Sequence, residues 1–232
     1  MINNKKVLAI IPARGGSVGL PGKNIIDVNG KPLLFYTWNQ AQKSKYIDRV
    51  ILSSEDDEII RVAKSLGCEV PFTRPKELSE STSGSMPVIF HAIEELDEAF
   101  DYVVLLQITS PLRIAEDIDK SIELCEKNNA PSCLSAVANE KPLEWIFRVS
   151  DQGKVVPISN KKVAIRRQDA TEIFSVNGAV AVAEIEWLKS QDHFLSEETI
   201  VHIMPKSRSI DIDTIDDLNL FKYFLSENEA EK

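Results

Sequence analysis

A chain of 232 residues with 43% hydrophobic residues is long enough for one α/β domain with a small insertion. A net charge of −9, with no apolar run near the ~18 to 20 residues of a membrane span, argues against nucleic-acid-binding and membrane proteins, so we expect neither partner. Cys68, Cys125 and Cys133 are odd in number and lack a C-x-x-C spacing, which favours reduced core thiols in a cytoplasmic protein.

Apolar runs and helical patterns alternate through the first half of the chain, which is typical of a mainly parallel sheet. The first run leads into Pro12 and Arg14 without a small-residue cleavage site, so we interpret it as a core strand and not as a signal peptide. We predict strands over residues 7–11, 49–53, 69–72, 102–108 and 132–138, and helices over residues 32–44, 56–67, 87–100 and 116–127.

Polar side chains stand where several of these strands end. Arg14 follows the first strand, Ser53 and Ser54 end the second, and Gln107 lies near the end of the strand over residues 102–108. Ligands of open α/β sheets bind outside the carboxyl ends of the strands. We therefore expect the functional site at this edge.

The second half of the chain departs from this alternation between residues 139 and 173. Residues 145–149 and 154–157 read as a hairpin outside the main sheet, and the rest reads as an exposed arm. Residues 178–183 and 201–204 return to the core, and a final helix begins at Thr214 with Asp217 in a capping-box position. The chain is thus predicted to be one domain over residues 1–232, with residues 139–173 inserted as an arm.

The loop over residues 12–24 is rich in glycine and carries two cations. Glycine lets backbone N–H groups approach the oxygens of a phosphate chain, and Arg14 and Lys23 add full positive charges. Asn24 after Lys23 excludes the P-loop spacing, and the absence of G-x-G-x-x-G gives no support to a redox cofactor. The alternative is an ordinary strand-to-helix turn, but two cations beside the glycines favour a nucleotide site.

A second motif, over residues 209–213, alternates isoleucine with aspartate. On an extended segment this places Asp211 and Asp213 on one side, with Ile210 and Ile212 buried. Two carboxylates on one side suit Mg²⁺, which binds through one or two carboxylates plus substrate phosphates. Alone, the motif equally permits one aspartate that caps the final helix and one that is solvated. Together with the opening loop, it favours the metal.

Four motifs in this order resemble the acylneuraminate cytidylyltransferases. They are the opening loop, residues 105–113 (LLQITSPLR), Arg167-Gln168 followed by Asn177-Gly178-Ala179, and residues 209–213 (SIDID). That family comprises the CMP-sialic acid synthetases, including relatives that activate legionaminic or pseudaminic acid. The resemblance covers nearly the whole chain.

The resemblance implies a Rossmann-like nucleotidyltransferase fold, with a mainly parallel sheet, helices on both faces and an inserted dimerisation arm over residues 139–173. It also implies a homodimer and a reaction that needs Mg²⁺. In that reaction CMP passes from CTP to the anomeric hydroxyl of a nine-carbon 2-keto sugar acid, such as N-acetylneuraminic acid or a relative, and pyrophosphate is released.

The resemblance also assigns roles to individual residues. The implied catalytic residues are Arg14, Lys23 and Asp211, and the implied metal ligands are Asp211 and Asp213. Nucleotide contacts are implied for Ala13, Arg14, Gly15, Gly16, Ser17, Lys23, Asn24, Arg74 and Ser85. Sugar-acid contacts are implied for Gln107, Arg167, Gln168 and Asn177, and the Arg167 guanidinium suits the sugar carboxylate because it can pair with it bidentately.

Three positions depart from the family pattern. Val18 stands in place of a usual lysine, Ser175 in place of a common arginine, and Ala181 in place of a common tyrosine. Two alternatives stay open: another nucleotidyltransferase of this fold, such as a 3-deoxy-manno-octulosonate cytidylyltransferase, and a nucleotide-binding protein without activity. Turnover with CTP and Mg²⁺ would separate the last from the enzymes.

Overall fold

The structure is a computed structural model, which describes residues 1–17, 19–80, 83–158 and 171–230, with side chains in the last range as far as residue 227. Its strands are β1 (Val7–Pro12), β2 (Asp27–Val28), β3 (Lys31–Pro32), β4 (Arg49–Ser53), β5 (Tyr102–Leu105), β6 (Ser132–Ala138), β7 (Phe147–Val149), β8 (Val155–Pro157), β9 (Phe174–Glu184) and β10 (Thr199–Ile203). Its helices are α1 (Leu33–Ala41), α2 (Asp57–Ser65), α3 (Ser85–Glu94), α4 (Ala115–Asn128), α5 (Ile185–Gln191) and α6 (Ile215–Ala230).

The central sheet has six strands in the order β10-β6-β9-β5-β1-β4. β1 pairs in parallel with β4 and β5, and β10 pairs in parallel with β6, whereas β9 runs antiparallel between β5 and β6. The mainly parallel sheet predicted from the sequence is therefore confirmed, with one antiparallel strand inserted.

Helices cover both faces because the strands bury side chains on both sides. On β1, Val7, Ala9 and Ile11 pack into a cluster with residues of α1, α2, α4 and α6, and Leu8 and Ile10 pack into a second cluster with α3 and α5. Each fully buried aliphatic side chain contributes about 1.5–3 kcal/mol. The resulting three layers hold the carboxyl ends of β1, β4 and β5 side by side.

The structure corrects three local predictions. The segment over residues 69–72 is not a strand of the sheet, and only Glu69 makes an isolated bridge, to Ile51. Pro71 lacks the N–H that a longer ladder requires. The helix predicted over residues 87–100 spans Ser85–Glu94, and α5 was not predicted at all because a seven-residue helix gives little periodicity.

Other local predictions are confirmed. The backbone N–H groups of Thr214 and Asp217 each bond to the other's side chain, as a capping box requires. Cys68, Cys125 and Cys133 are free and buried. In the part of the chain that the structure describes, no helix is both long and apolar enough to cross a membrane.

The inserted arm begins with the predicted hairpin. β7 and β8 form a separate two-stranded antiparallel sheet, and Gly153 lies in the turn between them. Residues 159–170, with Arg167 and Gln168, lie outside the described residues, as does Val18. The sugar-acid contacts of Arg167 and Gln168 and the dimerisation role of the arm stay predictions.

Candidate active site

A cleft of about 500 Å³ opens where β1 and β5 end, and its lining comes from separate parts of the chain. Of the residues implicated by the sequence, the structure places these on its surface: Arg14, Ser17, Lys23, Asn24, Arg74, Ser85, Gln107, Asp211 and Asp213. Ala13, Gly15 and Gly16 belong to the same loop but do not line the cleft.

Lys23 joins the opening loop to the aspartate motif. Its buried Nζ donates hydrogen bonds to the backbone oxygen of Ile212, at 2.7 Å, and to Oδ1 of Asp213, at 2.9 Å. The neighbouring Asn24 is also buried, and its Nδ2 donates to the backbone oxygen of Arg14 at 2.9 Å. Two sequence motifs almost 190 residues apart therefore meet through one ammonium group.

Arg14 has fewer partners than the other cations that line the cleft. Its guanidinium makes a single long hydrogen bond, from Nη1 to the backbone oxygen of Glu80 at 3.4 Å, and no ion pair with any described residue. An arginine in this setting retains its full charge and its forked donors for an anionic ligand.

The aspartate motif has the predicted geometry except at Ile210, which is only partly buried. Ile212 is fully buried and donates its N–H to the backbone oxygen of Thr109, while Asp211 and Asp213 stay exposed at the cleft. The pKa of Asp211 is raised above its ordinary value, mainly because the carboxylate loses hydration. A hydrogen bond from Thr109 lowers this pKa, whereas the charge of Asp213 raises it.

These two carboxylates are compatible with Mg²⁺. Asp213 has a counter-charge in Lys23, whereas Asp211 has no ion pair among the described residues, so a cation would relieve the repulsion between them. In the described ranges, no group of three or more His, Cys, Asp or Glu could hold a metal ion. Proteins usually bind Mg²⁺ through one or two carboxylates together with substrate phosphates.

The segment before the aspartates is anchored to α4. Arg208 donates two hydrogen bonds to the buried Asp117 carboxylate, from Nε to Oδ2 at 3.0 Å and from Nη2 to Oδ1 at 2.8 Å. His202 Nε2 lies 3.2 Å from the same Oδ1. These partners hold the pKa of Asp117 well below its usual range, although burial alone would raise it. Asp117 could not be predicted from the sequence because its partners lie more than 80 residues away in the chain.

Gln107 lies in the cleft and its main chain is fixed by a buried arginine. Arg113 donates to the backbone oxygens of Gln107 and Ala179, and burial lowers the pKa of Arg113 to about 9. Gly178 adopts φ +71°, and a Cβ there would lie 2.9 Å from Gln107 Oε1. The motifs around Arg113 and Gly178 thus position Gln107.

Asn177 does not line the cleft, and its predicted contact with the sugar acid stays a prediction. Its buried amide donates to Ser209 Oγ at 2.9 Å and accepts from Ser135 Oγ at 2.6 Å. Asn177 therefore connects β6 and β9 to the aspartate motif. The departures Ser175 and Ala181 also lie off the cleft: Ser175 is exposed beside Asn139, and Ala181 packs in the core.

Glu55, like Asp117, is a residue that sequence reasoning missed. Glu55 follows β4 and turns its carboxylate inward, where Oε1 accepts from the Gly15 N–H at 2.8 Å and Oε2 accepts from Arg74 Nη2 at 2.6 Å. The acidic run over residues 55–58 predicts a surface helix N-terminus, and Asp56 does cap α2 by accepting from the Ile59 N–H. Nothing in the run distinguishes the inward carboxylate from its neighbours.

Comparison with known proteins gives a consistent picture. A family model described as cytidylyltransferase matches residues 8–226. The chain is 35% identical over 226 residues to pseudaminic acid cytidylyltransferase of Campylobacter jejuni, which covers 96% of this chain and 97% of that protein. It is 31% identical over 229 residues to CMP-N,N'-diacetyllegionaminic acid synthase of Legionella pneumophila, which covers 97% and 98%.

One solved structure supports the fold. CMP:2-keto-3-deoxy-manno-octonic acid synthetase complexed with CTP superimposes with a TM-score of 0.73 at 15% identity, over 96% of this chain and 99% of that one. At this identity the likeness concerns the fold alone. It confirms the predicted Rossmann-like architecture.

Proposed function

The chain belongs to the cytidylyltransferase family, and from this premise we propose that it transfers CMP from CTP to the anomeric hydroxyl of a nine-carbon 2-keto sugar acid, with release of pyrophosphate. The observation that carries the proposal is the junction at Lys23, which brings the opening loop and the aspartate motif to one cleft. Such a transfer needs positioning and charge neutralisation more than a covalent partner.

The cleft offers charged groups for the proposed reaction. Arg14 and Lys23 line it and would hold the triphosphate and stabilise the departing pyrophosphate. Asp211 and Asp213 would hold Mg²⁺ together with phosphate oxygens. When bound, Mg²⁺ neutralises phosphate charge and can lower the pKa of the attacking hydroxyl. Arg74 and Ser85 also line the cleft and would contact the cytidine, as the resemblance implies.

We propose an acid of the pseudaminic type as the sugar substrate, with legionaminic and N-acetylneuraminic acids as the alternatives. A relative of nearly equal length named for pseudaminic acid has 35% identity and one named for a legionaminic acid has 31%. Gln107 would contact the acid from the cleft wall. Arg167 would pair with its carboxylate and Gln168 would lie beside it, as the resemblance implies.

We also propose a homodimer formed through the arm. Phe147, Val149 and Val155 share one face of the β7–β8 hairpin, and all three side chains are exposed to solvent. Contiguous apolar surface of this kind usually marks a contact with another chain. A second copy that covers it would also bring the two arms together.

The proposal is tested by pyrophosphate release from CTP and Mg²⁺ with pseudaminic, legionaminic, N-acetylneuraminic and 3-deoxy-manno-octulosonic acids in separate reactions. We expect turnover with a nine-carbon acid, and the acid with the highest kcat/KM identifies the substrate. Turnover only with 3-deoxy-manno-octulosonic acid would support the alternative enzyme. CTP binding by the folded protein without turnover on any acid would contradict the proposed reaction.

A further inference from the structure

Asp117 is a buried carboxylate that joins three parts of the chain. It lies in the first turn of α4 and is 1% exposed, and its Oδ2 accepts from the Ile114 N–H at 3.1 Å and from Arg208 Nε at 3.0 Å. Its Oδ1 accepts from Arg208 Nη2 at 2.8 Å and lies 3.2 Å from Nε2 of His202 on β10. Capping of α4 requires only the bond to Ile114. The contacts with Arg208 and His202 therefore need another explanation.

The stability of the fold does not explain the pair of Asp117 and Arg208. A buried ion pair is on balance no more stabilising than well-packed apolar side chains of similar volume, because both charges lose hydration. A guanidinium that bonds to both oxygens of a carboxylate does fix orientation as well as distance. The pair is therefore better suited to hold the main chain at Arg208 in one place than to add free energy of folding.

The main chain at Arg208 leads directly into the aspartate motif. Arg208 ends a short 3₁₀ turn, and Asp211 follows three residues later. The residue between them that is next to Arg208 is held as well, since Ser209 Oγ accepts from the buried Asn177 Nδ2 at 2.9 Å. The motif thus starts from a fixed point.

The other end of the motif is held by main-chain hydrogen bonds. The Ile212 N–H donates to the backbone oxygen of Thr109 at 2.8 Å, and the Ile212 oxygen accepts from Lys23 Nζ at 2.7 Å. Asp211 lies between these two anchors, and its own carboxylate has no ion pair among the described residues. The position of this carboxylate is therefore set by the main chain on either side of it.

The position of Asp211 matters because Mg²⁺ tolerates little error. This cation requires nearly ideal octahedral geometry, with oxygen ligands at about 2.0–2.1 Å. A carboxylate that is displaced by about 1 Å no longer meets that requirement. The two anchors of the motif are thus also constraints on a metal that Asp211 and Asp213 would share.

We propose that Asp117 is a positioning residue of the Mg²⁺ site, which holds Arg208 and thereby keeps the Asp211 carboxylate in place beside Asp213. The inference rests on the proposed function, since it takes both aspartates as metal ligands. Asp117 itself does not line the cleft and touches neither the metal nor a substrate. It acts on the metal only through the segment that Arg208 begins.

The test measures how much Mg²⁺ adds to CTP binding, without turnover. Dissociation constants for CTP are measured by calorimetry in EDTA and in excess Mg²⁺, with no sugar acid present, and the ratio of the two constants is the gain from the metal. We expect a gain of about tenfold or more for the unaltered protein. For Asp117→Asn we expect the gain to fall by about threefold to tenfold, because residues that orient metal ligands affect metal affinity. The constant in EDTA should change by no more than about twofold.

Asp119→Asn is the matched control. Asp119 also lies in α4, is 4% exposed, and accepts from Ser44 Oγ at 2.6 Å and from the Lys45 N–H at 3.0 Å. This variant removes an equally buried carboxylate whose partners lie outside the aspartate motif, so it should lower the melting temperature and keep the gain from Mg²⁺. A merely structural role for Asp117 predicts the same loss of gain in both variants. That result, or an unchanged gain in Asp117→Asn, would overturn the inference.

Arg208→Lys covers the case in which Asp117→Asn does not fold, as judged by thermal unfolding. Lysine keeps the charge opposite Asp117 but cannot bond to both oxygens in the same fixed orientation, so the gain should fall by about twofold to threefold. A full gain in Arg208→Lys would overturn the inference. If the unaltered protein does not bind CTP, or binds it no more tightly with Mg²⁺, the proposed function fails and the inference fails with it. The unaltered protein therefore distinguishes the two failures.

Discussion

The cleft and the hairpin of the arm are built in opposite ways. In the cleft, Lys23, Asn24 and Arg74 are buried, and each donates a hydrogen bond to another part of the chain. In the hairpin, apolar side chains face solvent, and Phe147 and Val149 are 50% and 66% exposed. The polar groups of the cleft have their hydrogen-bond partners within the chain. The apolar side chains of the hairpin form a surface that another molecule would cover.

This difference has an energetic reason. A buried polar group without a partner costs about 1–3 kcal/mol, so the hydrogen bonds of the buried Lys23, Asn24 and Arg74 help to keep the form of the cleft. Such an arrangement is set before the ligand arrives. Exposed apolar side chains gain free energy only when something covers them. We therefore expect substitutions in the cleft to change chemistry and substitutions in the hairpin to change assembly.

The largest effect is expected for Asp211→Asn. Removing one of the two cleft carboxylates weakens the proposed Mg²⁺ site, so kcat for pyrophosphate release should fall by about 100-fold or more. The fold should be unaffected because Asp211 is exposed. Asp216→Asn is the control, since Asp216 is exposed in the first turn of α6, a few residues away. Full activity of Asp211→Asn across a Mg²⁺ titration would remove the metal assignment.

A similar loss with a different cause is expected for Lys23→Met. The variant removes the ammonium that joins the opening loop to Ile212 and Asp213, so kcat/KM for CTP should fall by about 100-fold. The free energy of unfolding should fall by about 1–3 kcal/mol, because the Ile212 oxygen loses its buried donor. Lys43→Met, at an exposed position, should change neither quantity. Normal stability with normal kcat/KM would show that the junction is not functional.

An intermediate effect is expected for Gly178→Ala. The added Cβ would lie 2.9 Å from Gln107 Oε1 in a left-handed conformation, so it displaces Gln107 and strains the backbone by about 1–3 kcal/mol. We expect KM for the sugar acid to rise about tenfold while KM for CTP is kept. Gly153→Ala is a matched control, because Gly153 has φ +74° with open space around it. An equal change of KM in both variants would refute the role of Gln107.

Phe147→Asp is expected to have the smallest effect on catalysis and the largest effect on the dimer. A charge within the apolar face of the hairpin should weaken the dimer by about tenfold or more, measured by sedimentation over a range of concentrations. CTP affinity should stay unchanged. Arg148→Asp is the control on the same strand, since successive residues of a strand point to opposite faces. A protein that is monomeric before any substitution would contradict the assigned use of the arm.

The sequence was informative about the cleft where short motifs carry the chemistry. Strands over residues 49–53 and 132–138 have the predicted bounds because each is a mainly apolar run flanked by polar residues or proline. The direction of β9 was not predictable, since its antiparallel pairing depends on both neighbours and not on its own residues. Glu55 was misjudged for the same reason, because only the tertiary structure brings Gly15 and Arg74 to it.

The most direct test of the central claim is ³¹P NMR of the complete reaction, with CTP, Mg²⁺ and pseudaminic acid. The account predicts that the CTP signals are replaced by equal amounts of pyrophosphate and of one CMP phosphodiester, and that Asp211→Asn prevents this conversion. Formation of CDP and phosphate, or unchanged CTP with each of the nine-carbon acids, would contradict it.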